Sequence, residues 1–486
     1  MKLYLQGHDC RYAVEQLQLA LFGQPLEYVE ALFPAGEDGA VSALHTGPQW
    51  LTATCTITRG GKTVRASRRL RRDRQTPTLL RRILQQSYYL AAVKLLDAPP
   101  AWGALSGVRP TKLTTQHILA GGDRRSADRL LRDTFYVSPA RRALCLDASA
   151  ASVEAAGLLE PTDLSAYIGI PFCPSRCIYC SFVSQSVERF SQLLEPYLDA
   201  LIREIQYTGK LLADSPYRIR TLYMGGGTPT TLSAAQMGRL MDAINDAFDG
   251  SRLLEYTVEG GRPDTLDAEK LRLIRSKGCA RTSINPQTMD DTVLAAIGRR
   301  HTASDVRRAY RQAVDAGFAS INMDFIAGLP GDTPARFAAS LEQALELGPS
   351  NITVHTLALK KGAALFESRG GLPSDRDVAQ MLVDAAQMLR SAGYKPYYLY
   401  RQKYMSGNFE NVGWCRHHDI GLYNIYMMEE MHTILSLGGG GMNKVNLPGG
   451  KLERFHNPKY PAQYIERLDT VLAQKEEIFR LLAQQA

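Results

Sequence analysis

Residues Tyr167–Phe182 read YIGIPFCPSRCIYCSF. A short apolar run leads in, and three cysteines follow at Cys173, Cys177 and Cys180, spaced i, i+4 and i+7. The chain has eight cysteines in 486 residues, so three within so short a stretch are not scatter. So few cysteines in so long a chain do not make a disulfide scaffold, and a reducing compartment disfavours bridges. Structural zinc is the rival reading. It needs four closing ligands, usually as two pairs, and no second pair follows downstream. Three thiolates suit a [4Fe–4S] cubane better: they hold three irons and leave the fourth open. Cys10, Cys55, Cys145, Cys279 and Cys415 are scattered and read as small buried hydrophobes.

Outward from this stretch, β-type runs alternate with amphipathic helices. The strand candidates are Ala166–Ile170, Thr221–Met224, Glu255–Gly260, Arg281–Asn285, Ile321–Ile326 and Asn351–Leu359. Ser233, Asp267 and Thr302 stand where N-caps are wanted, and Gly278, Gly317 and Gly348 where helices end. Six β–α repeats imply parallel strands with right-handed crossovers. The expected fold is α/β: a curved, partial (β/α)6 barrel at 160–370, with chemistry at the C-terminal ends of its strands. Residues 1–150 read as a separate α+β domain. It has strands near Trp50–Arg59 and Lys62–Arg68, a helix over Thr78–Leu96 and a turn at Gly107–Leu113. Residues 371–486 read as a C-terminal α+β extension. It has a helix over Asp375–Gly393, an aromatic strand over Lys395–Tyr404, a glycine run at Gly438–Gly441 and a last helix over Pro461–Gln485. This extension is expected to cover the barrel and contribute to the substrate site.

A CxxxCxxC motif on a loop after the first barrel strand resembles the signature of the radical S-adenosylmethionine (SAM) superfamily. The resemblance implies that SAM chelates the open iron and is split by one electron to a 5′-deoxyadenosyl radical, which takes a hydrogen atom from the substrate. The protein supplies position and electrostatics. The segment YMGGGTPT (Tyr223–Thr230) follows one strand later, and its glycines let backbone amides approach a carboxylate. Glu259, Gln287, Arg299 and Asp324 then fall at or near successive strand ends.

The series is similar to a narrower family, the oxygen-independent coproporphyrinogen III oxidases. In that family the matching positions hold up to two SAM molecules. Here they are Tyr167, Tyr179, Gly226, Gly227, Thr228, Glu259, Gln287, Arg299 and Asp324, with Ala358 after the sixth strand. No catalytic residue is assigned beyond those of the cluster and SAM. EYTVEGGRPDTL, SINPQTMDDTVL, PYYLYRQKY and NFENVGW look most like the HemZ-type branch, the coproporphyrinogen dehydrogenases. Two positions depart from the best-understood oxidases: Gly169 stands for a histidine and Phe182 for a fourth cysteine. The CxxCxF ending is shared with heme chaperones, methyltransferases and heme-opening enzymes.

The resemblance implies oxidative decarboxylation of coproporphyrinogen III to protoporphyrinogen IX in heme biosynthesis. Its rivals are another radical reaction on a tetrapyrrole, such as alkyl transfer with ring opening, and heme carriage without turnover. His417 and His418 are candidate heme ligands in the last case, against a surface or capping role. The implied partners are a tetrapyrrole and an electron donor such as flavodoxin or ferredoxin. The net charge is +8, and much of it sits between Arg59 and Arg82. That stretch reads as a solvated basic face, a nucleic-acid surface or a guide for a polyanionic substrate. No RNA-binding signature or second cluster motif accompanies it, so a nucleic-acid partner is not expected. The N-terminus MKLYLQGHDCRY lacks a signal-peptide core, and no apolar run reaches membrane-spanning length, so a cytoplasmic protein without a membrane partner is expected.

Overall fold

The computed structural model describes residues 1–181, 184–360, 362–368, 370–402 and 408–485. The Phe182 departure and the end of the aromatic segment at Lys403–Tyr404 lie outside the described residues. The chain divides into two compact units, Met1–Leu146 and Asp147–Ala486. Residues 371–486, expected as a third domain, belong to the second unit and extend its sheet. Hydrogen bonding explains this: backbone edges left open by the barrel strands are paired by C-terminal strands rather than left to water.

The first unit is built on β1 (Lys2–Gln6), β2 (Glu27–Val29), β3 (Gly39–Thr46), β4 (Trp50–Arg59) and β5 (Lys62–Arg71), ordered β2-β1-β3-β4-β5. Helices Arg11–Phe22 and Pro77–Ala92 bury Val14, Leu17 and Tyr88 with Leu3, Cys55 and Ile57 of the sheet. The expected turn at Gly107–Leu113 instead begins a helix, Pro110–Leu119. Proline at the first helical position has a preset φ and no N–H to lose there. Part of the basic stretch is used internally. The Arg59 guanidinium lies over Phe22 at 4.4 Å, Arg68 donates to the Tyr136 hydroxyl at 2.9 Å, and Arg82 lies over Phe135 at 5.5 Å. Arg65, Arg69 and Arg71 point outward from β5, an edge strand, where charge discourages pairing with another chain.

The second unit holds β6 (Asp163–Ile170), the two-residue strands β7 (Phe172–Cys173) and β8 (Gln185–Ser186), then β9 (Arg218–Gly226), β10 (Glu255–Gly261), β11 (Arg281–Ile284), β12 (Ser320–Ala327) and β13 (Asn351–Thr356). Strands β6, β9, β10, β11, β12 and β13 are adjacent in that order and mutually parallel, which is the expected six-strand arrangement. The sheet is not closed. It continues antiparallel from β13 through β15 (Asn411–Cys415) to β14 (Lys395–Tyr400). On the other edge β16 (Ile434–Leu437) pairs parallel with β6, followed by β17 (Met442–Leu447) and β18 (Lys451–His456). Local chemistry starts the helices. The side chains of Ser233, Asp267 and Thr302 each accept from the backbone N–H three residues on, worth about 1 kcal/mol per cap. Cys55, Cys145, Cys279 and Cys415 are buried, as small hydrophobes should be, whereas Cys10 is only half-buried.

The last helix of the sequence reading is two, Pro461–Glu466 and Leu468–Ala483. They pack on helix Leu194–Ala213 through Tyr464–Glu204 and Tyr207–Glu476, and the hydroxyl of Tyr217, just after that helix, donates to Leu482 O at 2.9 Å. Lys475 and Glu204 are fully buried 3.0 Å apart. Glu204 accepts from Gly438 N at 2.8 Å, and Lys475 donates to Ser436 O at 2.6 Å and Asn443 Oδ1 at 2.9 Å. The pair therefore ties the C-terminal helix to the glycine run beside the first barrel strand. Removing one charge strands the other in a dry site. Lys475→Met should destabilise the second unit by about 3–5 kcal/mol in denaturant unfolding, and adding Glu204→Gln should recover part of the loss. An unchanged midpoint for Lys475→Met would show that the pair carries no weight.

Candidate functional site

The parallel strands end around one cavity of about 310 Å³. Its wall is assembled from strand ends: Gly226 closes β9, with Gly227 and Thr228 after it, Glu259 lies in β10 with Arg262 just after it, and Asn285 and Gln287 follow β11. Asp324 comes from β12, Thr356 closes β13, and Leu357 and Ala358 follow it. The cysteine loop supplies Cys173, Cys177, Tyr179 and Cys180. Every residue expected to hold the cluster or SAM lines this cavity except Tyr167. Tyr167 stacks with Tyr223 and Tyr423 at 6.3 Å from each, and its hydroxyl sits behind Gly226.

The cysteine loop is held by backbone pairing. Gly227 N donates to Ile170 O at 2.8 Å and Thr228 N to Phe172 O at 2.7 Å. A Cβ at Gly227 would come within 2.4 Å of Phe172 O, so only glycine permits the approach. The Thr228 hydroxyl lies 3.5 Å from Cys173 Sγ. Further along, Cys180 N donates to Cys177 O at 3.1 Å, Ile178 N to Ile297 O at 3.2 Å and Leu365 N to Ile178 O at 2.9 Å. Gly169, where the oxidases have histidine, is shut in from the other side. A Cβ there would come within 3.1 Å of Gly439 O, and the Tyr197 hydroxyl donates to Gly169 O at 2.6 Å. The backbone of the glycine run thus stands close against the side from which a side chain would project.

Polar groups converge on the cavity without being spent. Asn285 Oδ1, Gln287 Oε1 and Arg299 Nε are buried with no hydrogen-bond partner among the described residues. Gln287 also has a positive φ of 70°, which is strained for a residue with a side chain. Orphaned polar atoms in a strained setting fit a site that awaits a polar ligand. Desolvation, aided by Asp324, raises the Glu259 carboxyl to about 8. Burial alone would raise Asp324 too, but contacts from His355 and Asn322 hold it below the usual carboxylate range. Arg299 Nη2 donates to the Tyr179 hydroxyl at 3.1 Å, and burial lowers Lys360 on the same wall.

The sequence reading missed Arg262, Asn285, His355, Lys360, Tyr400, Gln402 and Asn411, which also line the cavity. Asn285 and Arg262 stand within two and three residues of Gln287 and Glu259, so adjacency to those strand ends was a usable signal. Tyr400 and Gln402 lie in PYYLYRQKY and Asn411 in NFENVGW, segments whose resemblance pointed to the branch and not to the site. His417 and His418 are exposed in a turn with positive φ after β15 and do not line the cavity.

Among the described residues no three His, Cys, Asp or Glu side chains are drawn together as a metal-binding group. The three cysteines share the cavity wall instead, and none is in a disulfide. Their donor chemistry fits iron, and thiolates draw together around a metal as it binds, because binding and local ordering are coupled. Among the described residues no helix is long and apolar enough to cross a membrane.

Gly227→Ala should force the GGGT segment off the cysteine loop and lower iron per chain after anaerobic reconstitution. Wild-type iron content would show that the close approach is dispensable. Glu259 binds its proton more tightly in the folded chain than in the unfolded one. The folded chain therefore loses stability as pH rises from about 4.5 to about 8. Glu259→Gln should raise the stability of the ligand-free protein by about 2 kcal/mol more at pH 8.5 than at pH 6. A pH-independent effect in thermal unfolding would contradict the raised carboxyl.

Comparison with known proteins agrees with this arrangement. The radical SAM superfamily matches residues 167–344. The oxygen-independent coproporphyrinogen-III oxidase-like protein HemZ of Bacillus subtilis is 36% identical over 395 residues, covering 79% of each chain. The heme chaperone HemW of the same organism is 31% identical over 65% of this chain and 82% of its own. The solved structure of coproporphyrinogen III oxidase HemN from Escherichia coli superposes with a TM-score of 0.52 at 23% identity, covering 67% of this chain and 73% of that one, which speaks for the fold. Membership implies SAM and an iron–sulfur cluster as cofactors. The chain belongs to the radical SAM superfamily and, within it, to the HemZ-like relatives of the oxygen-independent coproporphyrinogen III oxidases.

Proposed function

We propose that this chain converts coproporphyrinogen III to protoporphyrinogen IX without oxygen. Cys173, Cys177 and Cys180 would hold a [4Fe–4S] cluster. Gly226, Gly227, Thr228, Glu259, Gln287, Arg299, Asp324 and Ala358 would hold SAM, with Tyr167 behind Gly226. When bound, these cofactors supply hydrogen-atom abstraction from an unactivated carbon. Each of two propionates loses a hydrogen atom from its β-carbon, carbon dioxide from its carboxylate and one electron to an acceptor, and becomes a vinyl group. An electron donor of the flavodoxin or ferredoxin kind and a second SAM molecule complete the reading.

The observation that carries it is a cavity in which cysteines and orphaned polar atoms share a wall with cations. Arg176, Arg299 and Lys360 line the same space as Cys173, Cys177 and Cys180. Cationic donors suit carboxylates, those of the substrate and of the methionyl group alike. The HemZ-like relative, similar over most of both chains, supports the same substrate class.

A second reading, heme carriage without turnover, draws on the similarity to HemW. Its candidate ligands His417 and His418 stand in an exposed turn away from the cavity, which disfavours them for a buried heme. The test is an anaerobic assay with reconstituted protein, SAM, a reductant and coproporphyrinogen III. Porphyrin masses should fall in two steps of carbon dioxide plus two hydrogens, and Cys177→Ala should abolish both. Intact coproporphyrinogen, with about one heme bound per chain when heme is added, would replace this reading by the second.

A further inference from the structure

Arg262 lines the cavity, yet its side chain is only 4% exposed and its hydrogen bonds run to the protein. Nε and Nη2 donate to the two carboxylate oxygens of Asp264 at 3.0 and 2.7 Å. Nη1 donates to Ser175 twice, to the hydroxyl at 2.8 Å and to the carbonyl at 3.2 Å. Ser175 lies midway between Cys173 and Cys177. Behind Asp264 stands His301, its side chain fully buried, with Nδ1 3.8 Å from Asp264 Oδ1.

His301 lies two residues after Arg299, and Arg299 donates to the Tyr179 hydroxyl at 3.1 Å. Tyr179 lies between Cys177 and Cys180. Two short segments, Arg262–Asp264 and Arg299–His301, therefore grip the loop on either side of Cys177 and meet each other through Asp264 and His301. The loop between Cys173 and Cys177 has no regular secondary structure to stiffen it. Ordering such a segment costs conformational entropy, and a planar guanidinium fork offsets part of that by fixing one residue through several bonds at once.

We propose that Arg262 is a positioning residue for the iron–sulfur cluster: oriented by Asp264 and backed by His301, its fork fixes Ser175 and thereby the spacing of Cys173 and Cys177. This rests on superfamily membership and not on the substrate reading, so failure of the decarboxylation assay leaves it standing. The bland alternative is a salt bridge that only stabilises the fold. The two differ at lysine, which keeps the charge but cannot bond Asp264 bidentately and reach Ser175 as well.

The experiment compares the full-length wild type with Arg262→Lys, Arg262→Gln and Ser175→Ala after anaerobic reconstitution. Iron and sulfide per chain are measured, then loss of cluster absorbance under a ferrous-iron chelator and the electron paramagnetic resonance spectrum of the reduced cluster. Both Arg262 variants should lose the cluster about tenfold faster, the scale of one charge-assisted hydrogen bond, with an altered spectrum. Ser175→Ala, which removes only the hydroxyl partner, should lose it about threefold faster with unchanged thermal stability of the metal-free protein. Cluster retention at the wild-type rate in Arg262→Lys would overturn the proposal. If the Arg262 variants fail to fold, Ser175→Ala decides alone: a wild-type rate there overturns it.

Discussion

The site depends on a contact between two pieces of backbone. Gly227 and Thr228 donate to the carbonyls of Ile170 and Phe172 at 2.8 and 2.7 Å, an approach that a Cβ at Gly227 would block. This pairing fixes the point at which the chain leaves β6 and becomes the cysteine loop. It also brings the Thr228 hydroxyl to Cys173. On the far side of β6, the backbone of the glycine run closes on Gly169, itself held by the buried Glu204–Lys475 pair through Gly438. The first strand is thus clamped from both sides before any cofactor chemistry is considered.

The electrostatics follow from the same enclosure. Glu259, desolvated and facing Asp324, takes a proton readily; Asp324, supplied with donors by Asn322 and His355, does not. Two nearby carboxyl groups are pushed in opposite directions by their surroundings, and Asn285, Gln287 and Arg299, each with a partner-free polar atom, share the cavity wall with them and with the cysteines. A polar ligand with both donors and acceptors can satisfy what the protein alone leaves open. The wider charge distribution is uneven as well. Met1–Leu146 holds 21 of the 57 Lys and Arg but only 11 of the 49 Asp and Glu, so the excess positive charge belongs to the first unit.

The parallel barrel strands were legible because each is a short apolar run followed by a capped amphipathic helix, and those are local signals. Ser233, Asp267 and Thr302 cap as their side chains dictate. The cysteine spacing and GGGT were legible because thiolate ligation and close backbone approach demand particular residue types. The antiparallel strands β14 and β15 were not read as part of the barrel sheet, since the pairing of β15 with β13 spans many residues and leaves no periodic trace. Tyr400, Gln402 and Asn411 were missed with them. Arg262 escaped for another reason: an arginine in EGGRPDT looks like a surface charge until folding buries it between Ser175 and Asp264. Tyr167 shows the opposite case, since its motif position is right for the loop while its ring is taken up by a tyrosine stack.

The proposed function turns on hydrogen-atom abstraction from a porphyrinogen propionate in the cavity at the strand ends. The measurement that tests it uses coproporphyrinogen III deuterated at the propionate β-carbons, with 5′-deoxyadenosine isolated after anaerobic turnover. One deuterium should appear in 5′-deoxyadenosine for each vinyl group formed. Deuterium-free 5′-deoxyadenosine beside unchanged porphyrinogen would contradict it.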